Sequence, residues 1–131
     1  MIKLIQCVRR KPDMTISEFR KHWIIYRDAL HDLARSSGAV RATVSTELEV
    51  PQNTNLMTSR GTSTPFDGVL EVWWKKGPDM LAFFARPEIQ AKLKDLQLLQ
   101  EEFIDLGHSS FFFASEETIL DSKPARRRQA A

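Results

Sequence analysis

The chain has 131 residues, 42% of them hydrophobic and 27% charged, which suits one domain with a real core and excludes a wholly disordered chain. Its formal net charge of +2 arises in residues 121–131, where Lys123, Arg126, Arg127 and Arg128 face only Asp121. The rest is near neutral, which argues against a nucleic-acid binder with a basic folded surface.

The one cysteine, Cys7, excludes an internal disulfide and fits a reducing, cytoplasmic setting. Residues 1–12 read as a strand rather than a secretory leader, and no apolar run approaches the roughly 20 residues of a membrane span. A soluble protein with no membrane partner is expected.

Residues 2–9 are β-rich and are closed by Arg9, Arg10, Lys11 and Pro12, the proline having no ladder donor to offer. Residues 15–33 carry Ile16, Phe19, Trp23, Tyr26, Leu30 and Leu33 at alternating steps of three and four, the stripe of an amphipathic helix. Thr15 and Glu18 form a capping box at its start, and Gly38 is placed to close its end. Residues 40–50 alternate, with Val40, Ala42, Val44, Thr46 and Leu48 on one face, which is a strand with one polar side.

Residues 51–65 are rich in Ser, Thr, Asn and Gly and read as a long loop, a class that often serves as a lid or a mobile excursion. Residues 68–74 return to strand composition, with Leu70, Val72 and Trp74 as the helix-packing set and Val69, Glu71 and Trp73 on the opposite face. A short helix over 79–85 is interrupted at Pro87. A longer one follows, striped by Ile89, Leu93, Leu96, Phe103 and Leu106 and stopped by Gly107. Phe111, Phe112 and Phe113 give residues 110–115 a buried-strand composition, and the basic tail over 121–131 is expected to be disordered.

The order β-α-β-β-α-β predicts an α+β, ferredoxin-like domain over residues 1–120: a four-stranded antiparallel sheet with two helices on one face. The strands carry large apolar groups on both faces, so the uncovered face calls for a partner, most economically a second copy. That makes a homodimeric α/β barrel joined through its sheets.

IKLIQCVRRKPDMTISEFRKHW, FDGVLEVWW and EEFID together resemble the EthD-like family of dimeric α/β barrels, over residues 2–120. The resemblance implies a homodimer without metal or organic cofactor that binds a small hydrophobic or aromatic molecule between sheet and helices. Three functions follow from it. The first is a cofactor-independent lyase, cyclase or isomerase acting on an aromatic or polyketide-like acid. The second is a non-catalytic ligand-binding or stress-related barrel, and the third a haem-type or cofactor-free monooxygenase. One position departs from the family: Arg27 stands where a histidine is common, and a guanidinium stays protonated, so it can clamp an anion but cannot act as a base.

Arg20, Arg27 and His31 share one flank of the first helix beside Tyr26. The functional reading makes His31 a general base, with Tyr26 beside it, and Arg27 a clamp for an anionic substrate; the plain alternative is a solvated flank. Glu71, beside the substrate-binding candidate Trp73, reads as a desolvated proton shuttle or as half of a cross-strand or dimer-interface ion pair with an arginine. His108 reads as a substrate-binding group at a cavity mouth or as a cap on the second helix. His22 reads as structural and Cys7 as a small buried hydrophobe. No paired His or Cys spacing, phosphate loop or nucleophile elbow occurs in the sequence, so no metal site is expected.

Overall fold

A computed structural model describes residues 1–122. The tail expectation falls almost entirely on residues 123–131, outside the described residues. The elements are β1 (Ile2–Val8), α1 (Ile16–Ser36), β2 (Arg41–Thr46), α2 (Pro51–Arg60), β3 (Gly68–Trp74), α3 (Gly77–Phe84), α4 (Pro87–Phe103) and β4 (Ser110–Ser115), with a single 3-10 turn at Leu106–His108 before β4.

The strands form one antiparallel sheet in the order β2-β3-β1-β4, which is the ferredoxin-like arrangement. α1 starts where its capping box demands: the Glu18 amide donates to Thr15 Oγ1 at 3.1 Å and the Thr15 amide to Glu18 Oε1 at 2.9 Å. From its stripe Phe19, Trp23, Tyr26, Leu30 and Leu33 are buried, whereas Ile16, one turn too early to reach the sheet, stays exposed. Each of these buried side chains contributes on the order of 2 kcal/mol. Met80 and Phe83 from α3 and Ile89, Leu96 and Phe103 from α4 join them over Val8, Leu70, Val72 and Trp74 of the sheet.

Gly68 lies against Trp23. A Cβ there would sit 2.9 Å from two atoms of the indole, so the bare backbone is what lets the ring lie flat on the start of β3.

Three expectations need correction. Residues 51–65 are not all loop: 51–60 form α2, with Pro51 at its first turn and Gly61 closing it at φ +66. None of its residues is buried, so it has no apolar stripe to betray it; the proline and the glycine at its ends were the signal. The long helix ends at Phe103 rather than at Gly107, with Leu106 in the 3-10 turn. Finally, Phe111, Phe112 and Phe113 are exposed by 38%, 45% and 54%, because β4 is an edge strand paired only with β1.

Candidate functional site

Alternation along the strands decides which side chains can meet. Gln6 faces the helices, since it bonds Tyr26 of α1, so Ile5 beside it faces away, and so does its register partner Glu71. The sheet therefore separates Glu71 and Trp73 from Tyr26, Arg27 and His31. The sequence candidates do not gather into one site.

On the helix side lies a cavity of about 190 Å³ between the sheet, α1, α3 and α4. Its walls are mostly apolar, with Leu4, Leu33, Val72, Trp74, Phe84 and Leu96 among them. Three polar side chains converge in it. The Tyr26 hydroxyl donates to Gln6 Oε1 at 2.6 Å, and Gln100 Nε2 donates to the Tyr26 oxygen at 2.9 Å. Gln6 is 4% exposed and Tyr26 fully buried. Phe111 on β4, with Leu93 and Gln100 on α4, retains exposure and marks the mouth.

Tyr26 is the ionisable group among the lining residues. Burial pushes its pKa up to about 12 from the ordinary 10, with Gln100 and Gln6 opposing the rise. At neutral pH it is a phenol, a hydrogen-bond donor rather than a base. The lining offers no imidazole or thiolate as an axial ligand for a haem, and no cluster of metal-ligating side chains occurs among the described residues.

The remaining candidates have other settings. Glu71 accepts a hydrogen bond from Lys3 Nζ at 3.0 Å, an ion pair between the neighbouring strands β1 and β3 with lysine as the partner. Glu71 in turn raises the Lys3 pKa through that bond. Trp73 is 5% exposed although it lies on the helix-free face. Lys3 and Arg41 stack on it at 5.2 and 4.7 Å, and its indole donates to Glu116 at 2.7 Å, which lowers the Glu116 pKa.

Arg27 and His31 do share a setting, a second cleft of about 190 Å³ between α1 and β2. Both are exposed and paired along the helix, Arg27 Nε with Asp28 and His31 Nδ1 with Asp32, each at 3.2 Å. His108 is exposed and bonds Asp105 at 2.8 Å just past α4, so it lines none of these spaces. His22 stacks on Phe103 at 5.5 Å. Cys7 lies on the helix-free face, its thiol pKa raised by burial and then by Glu71.

A more open trough of about 440 Å³ runs beside α2, past Arg9, Arg10, Thr64 and Asp67. Its arginines are already in use: Arg9 donates to the Thr64 carbonyl at 2.9 Å and Arg10 pairs with Asp67. They fasten the segment ahead of β3 and leave the helix-side cavity as the better enclosed site.

Gln6 and Gln100 were the residues that sequence reasoning missed. Both had a signal. Gln6 interrupts the inward run Ile2, Leu4, Val8 of β1, and Gln100 fills the gap of seven between Leu96 and Phe103 in the α4 stripe.

Residues 11–107 match the EthD domain model. No curated protein matches the chain. An ethyl tert-butyl ether D (EthD) family protein from Bacillus halodurans superimposes with a TM-score of 0.58 at 14% identity, covering 89% of this chain and 99% of that one. A dimeric protein of unknown function and ferredoxin-like fold from Bacteroides fragilis gives 0.57 at 13%, over 88% and 95%. SnoaB, a cofactor-independent oxygenase from Streptomyces nogalater, gives 0.52 at 13%, over 92% and 97%. Among the described residues no helix is long and apolar enough to cross a membrane.

Proposed function

The chain belongs to the EthD domain family, and from that premise we propose that it is a homodimeric barrel protein whose helix-side cavity binds a small aromatic ligand carrying a carbonyl or hydroxyl group. The observation that carries this reading is the Gln6–Tyr26–Gln100 network in an otherwise apolar cavity. Apolar walls with a few convergent polar groups are the usual makeup of a ligand site.

Size narrows the ligand. A cavity of about 150 Å³ takes up benzene, and sites for drug-sized ligands span about 300–1,000 Å³. At about 190 Å³ the cavity suits one ring or a compact pair, not an extended polycyclic polyketide. The Tyr26 hydroxyl would turn its one proton from Gln6 Oε1 to the ligand's oxygen, with the amide N–H groups of Gln6 and Gln100 beside it. With Tyr26 protonated at neutral pH, the wall binds and polarises but does not abstract a proton. The geometry thus favours binding over a lyase, cyclase or isomerase that uses Glu71 and His31 as an acid-base pair.

The homodimer reading is supported by the apolar groups left open on the helix-free sheet face, Phe112 foremost, and by the dimeric relative from Bacteroides fragilis. A second reading, cofactor-free oxygenation, is favoured by the fold shared with SnoaB. In it the Tyr26 hydroxyl would stabilise negative charge developing on a bound phenol or enol; consumption of dioxygen on adding such a compound separates it from binding alone.

The test of the primary reading is calorimetric titration with acetophenone. Wild-type protein should bind it, and Tyr26→Phe should weaken binding about three- to tenfold, the worth of one hydrogen bond. No binding, or binding indifferent to Tyr26→Phe, overturns the reading.

A further inference from the structure

The helix-side cavity and the α1–β2 cleft are back to back. Leu30 and Ala34 line both, and they are 8% and 5% exposed, so a partition one side chain thick divides an interior space from a surface one. Helical spacing explains the arrangement. Positions 27, 30, 31 and 34 are three or four apart and lie over β2, which sets Arg27 and His31 on the rim and Leu30 and Ala34 in the floor. Leu70, with Ala42 and Val44 of the edge strand, completes the apolar lining.

The rim can receive an anion. Arg27 spends its Nε on Asp28, and its two terminal nitrogens make no further hydrogen bond among the described residues. Side chains of that pair are 43% and 67% exposed; an ion pair so open to water is worth little and is readily exchanged for a ligand carboxylate. The guanidinium fork matches a carboxylate in a bidentate way.

We propose that the two spaces are halves of one site, and that an arylalkanoate spans them: its ring in the interior cavity, its short alkyl chain past a rotated Leu30, and its carboxylate on the terminal nitrogens of Arg27. This rests on the reading of the interior cavity as a ring site and adds the charge class of its ligand. Each space is about 190 Å³, and joined they reach the ~300–1,000 Å³ of ordinary ligand sites.

Hydrocinnamate and its neutral counterpart, hydrocinnamyl alcohol, test it by calorimetric titration against wild type, Arg27→Gln and Ala42→Glu. Both variants change exposed positions and leave the core intact. Wild type should bind both compounds. Arg27→Gln should weaken hydrocinnamate about fivefold or more, as expected for a lost charge-assisted hydrogen bond, and change the alcohol by less than about twofold. Ala42→Glu, which places a carboxylate in the cleft wall, should weaken the acid more than the alcohol. If the alcohol binds and both variants treat the acid as wild type does, the two-part site is overturned while the interior ring site stands. If neither compound binds wild type, both are overturned.

Discussion

Tyr26 is the single tyrosine in the sequence, so the ultraviolet absorbance of phenolate follows this residue alone as pH is raised. Its pKa is displaced from 10 to about 12, and at 1.36 kcal/mol per unit the shift corresponds to about 3 kcal/mol. The fold holds the proton more tightly than the unfolded chain does. The resulting stability is therefore fully present below pH 10 and is lost as pH rises through about 12. Against a total of about 5–15 kcal/mol for a small domain, that loss is large.

Absorbance and far-ultraviolet circular dichroism should be recorded on the same samples, with a urea-unfolded control. The control should titrate near 10 and the folded protein near 12. Should the chain unfold as the phenol ionises, both signals move together above pH 10, as linkage requires. Ionisation near pH 10 with the dichroism unchanged refutes the buried, hydrogen-bonded setting on which the site is built. Tyr26→Phe should flatten the alkaline dependence and cost about 1–2 kcal/mol at neutral pH, since the buried Gln6 amide and the half-buried Gln100 amide lose a partner.

Gly68→Ala should destabilise the domain by about 1–3 kcal/mol, because the new methyl meets the Trp23 indole at 2.9 Å; an unchanged urea midpoint would mean that the ring has room to retreat. Phe112→Asp places a charge on the helix-free sheet face, where Phe112 is 45% exposed. Light scattering should then fall from twice the chain mass of 15.1 kDa to the chain mass itself, and a variant that stays dimeric removes that face as the interface.

Where residues bury apolar surface in a regular rhythm, the sequence was legible. The α1 stripe, the capping box and the β3 alternation each placed an element and a face, since 3.6-residue and two-residue periods leave marks that composition alone can show. α2 escaped because it buries nothing and so has no rhythm. The triple phenylalanine misled for a related reason: three large apolar groups in a row fit a covered strand, but covering requires neighbours, and an edge strand has one.

The site was legible in part. Tyr26 was found on the core stripe, but its partners Gln6 and Gln100 stand on elements far apart in sequence, and only the fold brings the interrupted stripes of β1 and α4 against the same hydroxyl. Glu71 stands beside a tryptophan in sequence, yet strand alternation puts it on the far side of the sheet from Tyr26, where Lys3 holds it. Which of two apolar faces encloses space is a property of the packed sheet and not of any one strand.

The most direct test of the ligand cavity is a crystal soaked with iodophenol, whose iodine is located by anomalous scattering. An iodine peak inside the helix-side cavity, with the phenol oxygen against Tyr26 or Gln100, is the predicted result. A peak beside Glu71 and Trp73 on the opposite sheet face, with the cavity still empty, would contradict the account.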